Sequence, residues 1–142
     1  MSFPLVFEDL VPLFKISGTG TVFESPEYGA STIIEHDQKW GVIFEWTQTG
    51  PLGWILCGTW NLNVYLEKMG PGEKDLPNQK DVAFIQGSNV SYKEIIEFPA
   101  GIVEDGVYRL VTTITFTGPK GNPGPVVCFG DAGLIQFYTA EN

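Results

Sequence analysis

Between Cys57 and Met69 the chain reads CGTWNLNVYLEKM, apolar and polar side chains alternating with hardly a break. Trp60, Leu62, Val64 and Leu66 share one phase, while Thr59, Asn61, Asn63, Tyr65 and Glu67 share the other. A period of two belongs to an extended strand with one face in a core and the other toward water. The same period returns in WGVIFEWTQ, where Trp40, Val42, Phe44 and Trp46 are in phase. It returns again in GVYRLVTTITFTG, with Tyr108, Leu110, Ile114 and Phe116 inward and Val107, Arg109, Val111, Thr113 and Thr115 outward. Three such segments predict an all-β fold.

The remaining segments are less regular. TGTVFES and STIIEH read as early strands, and DVAFI as a short one. In SYKEIIEFP the carboxylate of Glu94 interrupts the face made by Tyr92, Ile96 and Phe98, so a bulge is expected there. VVCF and LIQFYTA read as one final strand, kinked at GDAG by Gly130 and Gly133. MGPGEKDLPNQK is polar and turn-rich, the composition of a mobile surface loop. The 17 glycines and 10 prolines cluster between these segments, as turns of a β protein require. With 142 residues the chain suits one domain. Residues 1–17 are expected to be an N-terminal extension packed on a β-sandwich of residues 18–142. Within it, FEDLVPLF fits a helical turn limited by Pro12 or an extended edge strand, and a docking segment is the rival reading.

One segment carries a resemblance. In EDGVYRL, the residues Glu104, Gly106, Tyr108 and Leu110 resemble the acid-x-small-x-Tyr-x-Cys pattern that enters the sixth strand of the immunoglobulin superfamily, with leucine in place of cysteine. Trp60 is similarly placed to the buried tryptophan of that superfamily's third strand, and Val42 or Phe44 stands where the second-strand cysteine would be. Without the disulfide, the chain looks more like the fibronectin type III and bacterial immunoglobulin-like branches. The resemblance implies a two-sheet antiparallel β-sandwich of seven to eight strands. It also implies a Tyr108 hydroxyl bonded back to main chain upstream, in FPAGIVED. It implies no activity. Gly58-Thr59-Trp60 also matches the G-x-W triplet of lipocalins and fatty-acid-binding proteins. In those barrels the triplet precedes most strands, whereas here too few clear strands are expected to follow it to close a barrel.

On this topology GPKGNPGP, residues 118–125, is the loop between the last two strands. Its glycine triplets are too few for a collagen helix, and a linker is excluded by the strand that follows. The loop is expected at the same end of the fold as TQTGPLGW. Two contact surfaces follow. The first is a recognition tip of Leu52, Trp54, Lys120 and Asn122, unless Trp54 folds back to cap the core. The second is the outward sheet face carrying Tyr65, Arg109, Val111 and Tyr138, with Val107 and Leu134, suited to self-association or to cover by the N-terminal segment. β-propensity on a wet face is the plain alternative.

Charge and chemistry narrow the functions. A net charge of −9, with Lys and Arg scattered singly, disfavours nucleic acid and anionic membranes as partners. The apolar start is interrupted by Glu8 and Asp9 and lacks a basic opening, a poor secretion signal, and no apolar run approaches a membrane span. Cys57 and Cys128 are expected to be buried free thiols, and a cytoplasmic setting follows. The single histidine, His36 in EHDQ, reads as a solvated turn residue, since its acidic neighbours Glu35 and Asp37 diverge along a strand. No nucleophile–base pair, phosphate loop, zinc motif or calcium loop is evident, so no enzyme, metal or cofactor is expected. The expectation is a non-catalytic protein-interaction or assembly module, open to homodimerisation. A small-ligand or carbohydrate binder using exposed aromatics is the alternative.

Overall fold

The computed structural model describes residues 2–25, 27–30, 32–69, 73–74, 76 and 80–140. Its strands are β1 (Ser2–Glu8), β2 (Lys15–Glu24), β3 (Glu27–Ala30), β4 (Ile33–Glu35), β5 (Trp40–Thr49) and β6 (Thr59–Lys68). They continue as β7 (Glu73–Lys74), β8 (Lys80–Ala83), β9 (Val90–Phe98), β10 (Gly106–Thr117) and β11 (Pro123–Tyr138). A 3-10 turn, Pro51–Trp54, joins β5 to β6. The three segments of strict alternation are β5, β6 and β10, and the inward phase of each is buried. DVAFI supplies β8, and the last strand runs unbroken through GDAG. The loop expected at MGPGEKDLPNQK lies largely outside the described residues.

The pairings form one sheet of 11 strands, ordered β7-β6-β10-β11-β1-β2-β5-β9, with β3 on β2, β4 on β11 and β8 on β6. All pairs are antiparallel except β4 with β11. An all-β antiparallel fold was expected and is found. The division into two stacked sheets is not what the pairings draw, because they run continuously. Ring contacts show how the sheet curls. Trp46 on β5 and Trp60 on β6 lie near opposite ends of the strand path, yet their rings meet edge to face at 5.9 Å. Tyr92 on β9 reaches Trp60 at 6.0 Å. The sheet therefore bends back on itself into a nearly closed, barrel-like form. Among the described residues five strands follow β6, more than the sequence made clear, and closure is not complete.

β1 is the largest departure from the sequence reading. It is no extension laid over the fold: it sits inside the sheet, hydrogen-bonded to β11 on one side and β2 on the other. Phe3 and Leu5 point into the core and Val6 points out. Room for the Phe3 ring comes from Gly20 and Gly130, where an added Cβ would stand 2.3 Å and 2.8 Å from ring carbons. The sheet can curve tightly here because two neighbouring strands present no side chain beneath that ring.

The kink expected at GDAG is a bulge. The β10–β11 register slips between Leu110 and Val111, with Gly133 at φ +80. Glu94 needs no bulge, since the β5–β9 register runs without a shift. It simply keeps the inward phase, half-buried, with its carboxylate 3.0 Å from Lys80 Nζ.

Candidate functional site

The registers decide which loops share an end. Thr117 pairs with Thr59, Gln48 with Val90, and Lys15 with Thr49. Residues 9–14, 50–58, 84–89 and 118–122 therefore gather at one end, and the TQTGPLGW and GPKGNPGP loops do lie together, as the sequence implied. Gly58 touches the chain at Thr117, whose carbonyl oxygen would be 2.2 Å from an added Cβ.

Direct bonds stitch this end together. The Leu52 amide donates to the Leu13 carbonyl (3.0 Å), and the Gly87 amide to the Gly53 carbonyl (2.7 Å). Gly53 is buried so closely that a Cβ would meet the Gly87 oxygen at 2.0 Å. The Gly50 amide donates to Ser88 Oγ (3.0 Å), and Gln86 Nε2 donates to the Leu56 carbonyl (3.0 Å). Beneath lies Gln48, fully buried, which sequence reasoning missed. Its Nε2 donates to the Ile85 and Gly87 carbonyls (2.8 and 2.9 Å), while its Oε1 accepts from Tyr92 Oη (2.8 Å). The same phenol oxygen accepts the Ile85 amide (2.9 Å). The signal was present: Gln48 continues the inward phase of Trp40 to Trp46, and a polar side chain in a core phase must find partners.

The packing turns Leu52 inward, half-buried against the core, and leaves Trp54 and Ile55 outside, 63% and 71% exposed. Trp54 is thus no cap over the core. Of the other residues expected at the tip, Lys120 and Asn122 are exposed on the adjacent loop, with the Asn122 carbonyl accepting the Gly118 amide at 2.8 Å. Sequence reasoning did not include Val11 (64% exposed), Leu13 or Ile85, which surface at this same end. Cys57 is also exposed, correcting the expectation of a buried thiol, whereas Cys128 is buried.

The second expected surface lies elsewhere, on the outer face of β6, β10 and β11. Register sets Tyr65 beside Val111 and Arg109 beside Leu134. Tyr65, Leu134 and Tyr138 are exposed and Val111 is half-buried. Arg109 already has a partner: its Nε and Nη2 both donate to Asp131 Oδ2. That bond holds the Asp131 carboxyl below its ordinary range and raises Arg109 above its own. Asp131 Oδ1 accepts the Gly133 amide (2.9 Å), so the pair fastens the β11 bulge. Further along β1 and β11, Val6, Val127 and Phe129 form another exposed apolar strip.

At the opposite end His36 is half-buried rather than solvated. Its Nδ1 donates to the Val103 carbonyl (3.0 Å) and lies 3.6 Å from Asp105 Oδ1, and Asp105 also accepts Thr139 Oγ1 (2.6 Å). Tyr108 is buried and its hydroxyl donates to the Glu104 carbonyl (2.8 Å), four residues upstream, as the resemblance implied. A shallow depression of about 430 Å³ on the outer face of β2, β5 and β9 is lined by Ser17, Thr19, Thr47, Ser91 and Glu45, with parts of buried Trp46 and Tyr92. No helix of the described residues is long and apolar enough to cross a membrane.

No protein-family model matches this chain, and no curated protein matches it either.

Proposed function

We propose that this chain is a non-catalytic protein-interaction module whose contacts are made at the loop end centred on Trp54. The observation that carries the reading is the contrast among the four tryptophans. Trp40, Trp46 and Trp60 are buried, while Trp54 and its neighbour Ile55 stand in solvent on a turn stitched to the loops beside it. Large aromatics held rigidly at a surface are favoured as anchors of protein contacts, because little side-chain entropy is lost on binding. From the immunoglobulin-like and fibronectin type III-like resemblance the reading keeps one idea, that loops at one end of a stiff β scaffold form the contact surface. A cytoplasmic setting suits Cys57, an exposed free thiol that a reducing compartment preserves.

The alternative, a small-ligand or carbohydrate binder, gains support from the hydroxyl-lined depression on β2, β5 and β9. It loses support because Trp54 and Tyr65, both exposed, are not among the residues lining that depression. Affinity capture from a native extract decides between surfaces. Partners retained by the wild type should be lost with Trp54→Glu and kept with Tyr65→Glu. Loss only with Tyr65→Glu would reassign the contact to the outer sheet face.

A further inference from the structure

The loop end differs from the rest of the molecule in charge. The chain carries 17 Asp and Glu, yet LVPLF (10–14), GPLGWILCG (50–58), FIQGSN (84–89) and GPKGN (118–122) contain none, and their one charged residue is Lys120. Asp9, at the base of the first loop, accepts the Ile16 amide (3.0 Å). Leu10, Val11, Leu13, Trp54, Ile55 and Ile85 are all exposed here, on segments joined by direct hydrogen bonds. Together they make an apolar patch carried by several loops, the kind of surface that marks a contact site.

We infer that the occupant of this end is a second copy of the chain, docked end to end about a two-fold axis. The inference rests on the reading of the loop end as a protein contact. Two molecules of net charge −9 repel over most of their surfaces, and an apolar end whose one carboxylate, Asp9, is held by the Ile16 amide is where they can approach with least repulsion. The other exposed apolar strip is less suited, because Glu8 is paired directly with Val127 within it. An isologous contact brings each residue near the axis against its own copy. Cys57 is exposed in the same loop as Trp54, while Cys128 is buried.

Sedimentation velocity of the full chain from low micromolar to near millimolar concentration tests this, with Trp54→Glu, Ile55→Glu and Phe129→Glu as variants and circular dichroism confirming the fold of each. The wild type is expected to pass from monomer to dimer, more readily as sodium chloride screens the like charges. Either glutamate at the loop end should weaken dimerisation at least tenfold, and Phe129→Glu should not. A chain monomeric at every concentration overturns the second copy as occupant. If that monomer instead co-sediments with neutral phosphatidylcholine vesicles, the end takes a bilayer and the protein-contact reading falls as well. Dimerisation that survives both loop-end glutamates and is lost in Phe129→Glu overturns the loop end itself.

Discussion

Glu94 on β9 and Lys80 on β8 meet at 3.0 Å between two strands that no backbone ladder joins among the described residues. Lys80 Nζ also donates to the Ile95 carbonyl on β9 (3.1 Å). β9 ends the strand path, and an inward-pointing charge on an edge strand discourages other chains from adding to it. Glu94→Val should leave folding stability within about 1 kcal/mol, since the pair is partly solvated. It should also promote aggregation on mild heating, seen as light scattering at temperatures where the wild type stays clear.

The buried Cys128 thiol gives a pH dependence on the alkaline side. Burial pushes it up from 9.0 to about 12, against a small opposing effect of a hydrogen bond at Ile114. Its folded pKa exceeds its unfolded one, so its stabilising contribution is whole below about pH 9 and drains away as pH climbs toward 12. Tyr108, raised above 10.0 chiefly by burial and then by Glu104 and Asp105, acts in the same direction at higher pH. Urea denaturation between pH 8 and 11 should show falling stability, and Cys128→Val should flatten the fall. At neutral pH a thiol reagent should modify one cysteine of the native protein, Cys57.

Gln48 holds the floor of the loop end. Gln48→Leu strips the carboxamide from the Ile85 and Gly87 carbonyls and from Tyr92 Oη, all at 2.8–2.9 Å. Each buried group left unpaired costs about 1–3 kcal/mol, so a loss of about 3 kcal/mol is expected after partial rearrangement. Hydrogen exchange should quicken at Ile85 and Gly87, and the presentation of Trp54 should suffer with it.

Tryptophan emission reports the same end. With three indoles buried and one in water, acrylamide should quench a single red-shifted component and leave a blue-shifted remainder. Trp54→Phe should delete the quenchable part alone. Equal accessibility of two or more tryptophans would contradict the fold.

Tyr108→Phe removes the hydroxyl bond to the Glu104 carbonyl and leaves the ring edge to face with Phe137 (5.6 Å). Because that carbonyl belongs to an exposed residue that water can reach, the cost should be about 1 kcal/mol. For a chain of this size that is a fall of about 3 °C in Tm by calorimetry.

Strand phase was legible wherever alternation is strict: Trp40 to Trp46, Trp60 to Leu66 and Tyr108 to Phe116 all point inward as the period requires. Partner choice was not, because a period of two says which face is buried and nothing about which strand lies alongside. β1 shows the difference. Phe3, Leu5 and Val6 carry the alternation, yet only the Gly20 and Gly130 hollows reveal that the strand belongs between β2 and β11. For the loop end the sequence marked Trp54 and Leu52, but their opposite fates depend on bonds to Leu13 and Gly87, which are distant in sequence. Val11, Leu13 and Ile85 were missed for the same reason.

The place of β1 between β2 and β11 also bears on how the molecule is born. Residues 5–8 find their β11 partners only at residues 127–130, so on the ribosome β1 must wait, held by β2 at residues 2–5 alone, until residue 130 has emerged. During that interval Phe3, Leu5 and the Gly20 hollow have no far wall. The nascent chain is then most in need of a chaperone.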